Sequence, residues 1–99
     1  MDTVLSDIQN GVMWITLHRP EKYNSITEPM ALRLQEELAR AGAEESVRCV
    51  VIRASGKAFC AGQDLGEVTR RQSDPGYSIA DTVQTSYNPT VMAIQALPK

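Results

Sequence analysis

Apolar and polar positions alternate through two short runs near the N-terminus, TVLSDIQ (residues 3–9) and VMWITLH (residues 12–18), with Asn10-Gly11 between them. Both runs are rich in β-formers, and Asn-Gly suits the two central positions of a type I′ turn, which both need positive φ. The pattern predicts a β-hairpin. In the second run Val12, Trp14, Thr16 and His18 share one face while Met13, Ile15 and Leu17 share the other, so both sides are expected to be covered. Arg19-Pro20 ends that strand and opens a loop over residues 20–27. Thr27 is a good N-cap, Glu28 suits the positive end of a helix and Pro29 is tolerated in its first turn. Ala31, Leu34, Leu38 and Ala41 then recur at helical spacing up to Gly42. The acids of the outer face, Glu36 and Glu37 among them, read as a solvated surface.

A third strand is expected over Arg48–Ala54, where the run of Val50, Val51 and Ile52 suggests burial on both faces. Strand, helix and strand in succession imply a parallel neighbour. After KAFCAGQDL (residues 57–65) a short helix should run from Leu65 to about Arg71, with Asp64 as its cap. Residues 73–76 break the chain. Ile79, Val83, Tyr87, Val91 and Ile94 then mark a long helix to Leu97, kinked at Pro89 or begun anew there with Asn88 as cap. No repeat or low-complexity tract is present.

With 99 residues, the chain is one domain or part of one. Hydrophobic residues at 42% and charged residues at 22% match an ordinary globular composition. The formal charge of −2 gives no reason to expect nucleic acid or an anionic membrane as partner. An anionic ligand would need a local basic site. No apolar run is long enough to span a membrane and the first residues lack a signal-peptide pattern, which makes the cytoplasm the default location. Cys49 and Cys60 fit no metal spacing and read as reduced structural thiols, so no metal site is expected. His18, the single histidine, ends a strand and reads as a hydrogen-bonded structural residue.

Chemistry is best sought in the stretch over residues 57–65. A strand end, a glycine bend and a helix start leave main-chain N–H groups without intrahelical partners. The Gln63 N–H, between Gly62 and the capping Asp64, is the candidate donor to an oxyanion. A plain structural cap is the competing reading. Arg53 and Lys57 flank the turn, and Arg19 and Lys22 fall at the same end of the adjacent strand, where they could hold phosphates or be scattered surface cations. Glu28 and Glu67 are possible acid/base groups. Cys60 as a nucleophile is countered by its flanking Phe59 and Ala61, which suggest a packed thiol.

HRPEKYNSI (residues 18–26) followed by GKAFCAGQDL (residues 56–65) resembles the crotonase, or enoyl-CoA hydratase/isomerase, family in order and spacing along the whole chain. The resemblance implies an α/β architecture: the N-terminal part of the crotonase ββα spiral fold, with a β-hairpin, a helix, a parallel strand and further helices. On that reading residues 1–99 form the N-terminal portion of a crotonase-like domain, and the portion carrying the acid/base groups and the second oxyanion donor lies beyond them. The resemblance implies that the Gln63 N–H binds a thioester oxygen. Lys22, Tyr23, Ser25, Lys57, Ala61, Gly62, Asp64 and Leu65 would line the coenzyme A or substrate site. Coenzyme A then enters as part of the substrate, with no separate cofactor. A trimer or hexamer is implied for a full-length subunit. Within the family, FCAGQDL (residues 59–65), with SYNP (residues 86–89) and ALPK (residues 96–99), most resembles the ring-opening 1,2-epoxyphenylacetyl-CoA isomerases of phenylacetate breakdown. The alternative function is a catalytically incomplete coenzyme A-binding fragment or a noncatalytic interaction module.

Overall fold

The computed structural model describes residues 2–72, 76, 78 and 86–99. Strands β1 (Val4–Gln9) and β2 (Val12–Leu17) form the expected hairpin, with Val4 opposite Leu17 and Gln9 opposite Val12. Asn10 and Gly11 take φ of 52° and 82°, as a type I′ turn requires. Strand β3 (Cys49–Ala54) lies parallel to β2, giving a three-stranded sheet in the order β1-β2-β3. A parallel pair needs a crossover, and helix α1 (Glu28–Ala43) supplies it.

Thr27 caps α1 through a hydrogen bond accepted from the Met30 N–H at 3.3 Å. The buried face of α1 comprises Met30, Ala31, Leu34, Leu38 and Ala41, the stripe read from the periodicity plus Met30. It packs on Val4, Met13, Ile15 and Leu17 of the sheet and on Val47. Met13, Ile15 and Met30 are fully buried, and burial of this kind contributes about 1.5–3 kcal/mol per side chain relative to exposure. Among the described residues two shorter helices follow, α2 (Leu65–Gln72) and α3 (Asn88–Ala96). Asn88 is thus the first residue of α3 and not its cap, and Pro89 falls in the first turn, where its missing N–H costs nothing. Ala93 and Leu97 of this last segment pack against the core, and the Lys99 ammonium donates to the carbonyls of Ala41 and Glu44 at the end of α1. The expected break at residues 73–75 and the helical positions Ile79 and Val83 lie outside the described residues.

Two expectations from the pattern do not hold. The sheet is covered on one face only among the described residues: Val12, Trp14 and Thr16 of β2 and Val51 of β3 are half-buried on the open face, while Val50 and Ile52, on the covered face, are only partly enclosed by the core. Helix α1 packs against the opposite face, leaving Trp14 with the Arg53 guanidinium stacked over its ring, 4.7 Å from the centroid. Arg53 also donates to the Thr16 hydroxyl at 3.1 Å, so this cation belongs to the open sheet face and does not flank the turn over residues 57–65. The second exception is Glu37, which is buried and not solvated. Burial opposes its ionisation, but hydrogen bonds from Arg33 and Ser6 and the charges of Arg33 and Arg40 outweigh that, and its carboxyl titrates below the usual range.

In the β2–β3 register Leu17 lies opposite Ala54, so the loops that follow the two parallel strands leave the sheet side by side. Gly56 lets them meet: its φ is +84°, and a Cβ there would fall 2.9 Å from the Cβ of Pro20. Gly62 also has positive φ, +100°, but a Cβ there would meet nothing within 4 Å. Gly56→Ala should therefore lose roughly 1–3 kcal/mol in denaturant unfolding, from strain and overpacking together. Gly62→Ala should lose only the smaller strain part. Equal losses at the two positions would contradict the close approach of Pro20.

Candidate functional site

The two loops are stitched together by a buried asparagine. Asn24 has positive φ (58°) and no solvent exposure. Its amide nitrogen donates to the carbonyls of Ser55 and Ala58, each at 2.8 Å, and its side-chain oxygen accepts from the Arg19 N–H at 2.7 Å. One side chain thus satisfies three main-chain groups from both loops. His18 adds a contact between its Nδ1 and the Ser55 hydroxyl at 2.9 Å, the structural role expected of it.

Further along, the segment around Ile26 runs beside the segment around Gln63 as a short parallel bridge. The Ile26 N–H donates to the Gly62 carbonyl at 2.6 Å, and the Asp64 N–H donates to the Ile26 carbonyl at 2.9 Å. The groups flanking Gln63 therefore face Ile26. In an extended segment the N–H of the residue between them projects to the opposite side.

Asp64 closes the arrangement. One carboxylate oxygen accepts from the Glu67 N–H at 2.7 Å and so caps α2, as expected from the sequence. The other pairs with the Arg19 guanidinium at 2.6 Å. The same guanidinium nitrogen donates to the carbonyl and the hydroxyl of Ser25, both at 3.0 Å. The N–H of Glu67, and then the guanidinium of Arg19, hold the Asp64 carboxyl below its ordinary range against the opposing effect of burial.

An open cleft of about 540 Å³ lies over this network. Of the residues expected to bind substrate, Lys22, Ser25, Ala61, Gln63, Asp64 and Leu65 line it. Arg19, Gly66 and Arg70 complete the lining. Tyr23 and Lys57 do not join them; with Pro20, Glu21 and Gly56 they border a second depression of about 400 Å³. Gly62 contributes its carbonyl to the bridge and its open surroundings to the turn.

Some of the surrounding residues differ from their sequence reading. Phe59 and Cys60 are exposed, so the thiol is not packed: the turn lies outside the sheet and α1 does not reach it. Both carboxylate oxygens of Glu67 accept from the Glu28 N–H, at 3.1 and 3.2 Å. Glu67 is therefore occupied in capping α1 from α2. The sequence reading missed Asn24 and the pairing of Arg19 with Asp64. A signal existed for the first, since asparagine tolerates left-handed backbone, but its three partners are remote in sequence.

The sequence pattern of the enoyl-CoA hydratase/isomerase family matches residues 7–99. Over 99 residues, 100% of its length, the chain is 36% identical to the 1,2-epoxyphenylacetyl-CoA isomerase of Escherichia coli (strain K12), of which it covers 38%. An enoyl-CoA hydratase structure from Mycobacterium smegmatis superposes with a TM-score of 0.83 at 36% identity, over 99% of this chain and 37% of that one. An enoyl-CoA hydratase structure from Mycobacterium marinum gives a TM-score of 0.85 at 30% identity, over 99% of this chain and 45% of that one. The chain belongs to the enoyl-CoA hydratase/isomerase family, with the mixed α/β fold of its members, and spans less than half the length of these relatives.

Two outcomes test the network. Asn24→Ala leaves two carbonyls and an N–H unpaired in a buried place and should cost roughly 2–4 kcal/mol in equilibrium unfolding. A loss below 1 kcal/mol would mean that the loops are held by other contacts. Because the Asp64 carboxyl is depressed in the folded state, its contribution is complete above the ordinary carboxylate pKa and is lost as pH falls through the folded value. Asp64→Asn should accordingly melt below wild type at pH 7, with the gap narrowing in acid. A gap independent of pH would contradict the pairing.

Proposed function

We propose that this chain binds the thioester of an acyl-CoA and stabilises negative charge on its oxygen through the Gln63 N–H. The observation that carries the reading is the use of main-chain groups around the bridge. Gly62 and Asp64 direct theirs to Ile26, and no hydrogen bond is made by the Gln63 N–H among the described residues. Gln63 borders the cleft beside Lys22 and the start of α2, both of which favour negative charge. Charge moving onto a thioester oxygen that meets such a donor makes the adjacent C–H more acidic, the common need of hydration and double-bond migration. Membership of the family supports acyl-CoA as substrate class. Similarity to the Escherichia coli isomerase makes a ring-epoxidised phenylacetyl thioester the first acyl group to assay.

A second reading is favoured by the carboxylates. Asp64 is the one acid lining the cleft among the described residues, and both of its oxygens are engaged. Glu67 is committed to α1. On this reading the chain binds and polarises the thioester, while the group that moves the proton comes from elsewhere.

Calorimetric titration with acetyl-CoA tests the donor. Gln63→Ala keeps the main-chain N–H and should bind like wild type, whereas Gln63→Pro removes it and should lose roughly tenfold in affinity with the circular dichroism of a folded chain. The reverse order, or no heat from the wild-type chain, would contradict the proposal.

A further inference from the structure

We infer that Arg19 is the positioning residue for the Gln63 amide, a role that rests on the donor reading above. One guanidinium nitrogen gathers the Ser25 carbonyl, the Ser25 hydroxyl and an Asp64 carboxylate oxygen, so a single cation joins the loop after β2 to the turn after β3. The pair is largely withdrawn from water, with side chains 17% and 9% exposed. A carboxylate so placed stays charged and oriented only while its partner remains.

Asp64 sits at a joint. Its N–H is held by Ile26, its carbonyl accepts from the Val68 N–H at 3.2 Å, and its first carboxylate oxygen accepts from the Glu67 N–H. The direction of the carboxylate is then set by what its second oxygen meets, which is Arg19. Release of that oxygen lets the side chain turn and frees the Glu67 N–H, while Arg19 reaches the Gln63 N–H through the Ser25 carbonyl: the N–H of that same peptide, on Ile26, donates to the Gly62 carbonyl, which shares its peptide plane with the Gln63 N–H. The charged groups around Asp64 are Arg19 and Lys22 from the loop and, from α2, Glu67 and Arg70; the Glu67 carboxylate is itself held at the start of α1. Protonation of Asp64 removes the charge that Arg19 grips. Its carboxyl is depressed, first by the Glu67 N–H and then by Arg19, so the arrangement is intact at neutral pH and fails as pH falls through the folded value. Without Arg19 the failure begins at higher pH.

Nitrogen-15 NMR of the wild-type chain, titrated with acid, follows the Gln63 amide and the Asp64 carboxyl together, and calorimetry with acetyl-CoA compares wild type, Arg19→Met and Arg19→Lys. The Gln63 amide should shift with the midpoint of Asp64. Arg19→Met should bind roughly tenfold more weakly and lose affinity at a higher pH than wild type, and Arg19→Lys, which retains a donor cation, should recover most of the binding. A Gln63 amide indifferent to the Asp64 titration, or a folded Arg19→Met that binds and titrates like wild type, would overturn the role. Should Arg19→Met not fold, the wild-type titration decides alone. A wild-type chain that ignores acetyl-CoA while its Gln63 amide follows Asp64 would sink the donor reading and leave the positioning by Arg19 standing.

Discussion

The cleft depends on a carboxylate kept charged in a place with little water. Asp64 can remain there because a main-chain N–H meets one oxygen and a guanidinium meets the other. Neither contact is local to the strands that build the sheet. The parallel pairing of β2 and β3 brings the two following loops out at one edge, and the ion pair turns that proximity into a defined shape. Removal of one partner from such a pair is more damaging than its net contribution suggests, because the other is left charged and unsolvated.

The same few groups hold the loops together and shape the proposed site. Asn24 fixes the loops near the sheet, Arg19 and Ser25 fix them further out, and Glu67 joins α2 to the first N–H of α1. Side chains that could be mistaken for acid/base groups are used as caps. The donor in the account is a peptide N–H, whose direction is set by φ and by neighbouring hydrogen bonds and not by a rotamer.

Much of this fold could be read before any coordinates. Asn10-Gly11 specifies its turn, Thr27 and Asp64 are caps by chemistry, and the Ala31, Leu34, Leu38 and Ala41 stripe faces the core because helical geometry leaves no other choice. Local rules failed where a distant partner decides. Glu37 reads as surface from its own helix, yet Ser6 on β1 and two arginines draw it into the interface. The apolar runs of β2 and β3 suggest two covered faces, while the described helices reach only one. Asn24 shows the same limit at the site, since its carbonyl partners at residues 55 and 58 become visible only when the strands are paired.

The chemistry proposed for these loops rests on the direction of one bond. A crystal structure of the chain with acetyl-CoA bound tests that most directly. The account predicts the thioester oxygen about 2.9 Å from the Gln63 nitrogen, in line with its N–H. A thioester bound elsewhere on the surface, or bound in the cleft with its oxygen turned from that nitrogen, would contradict it.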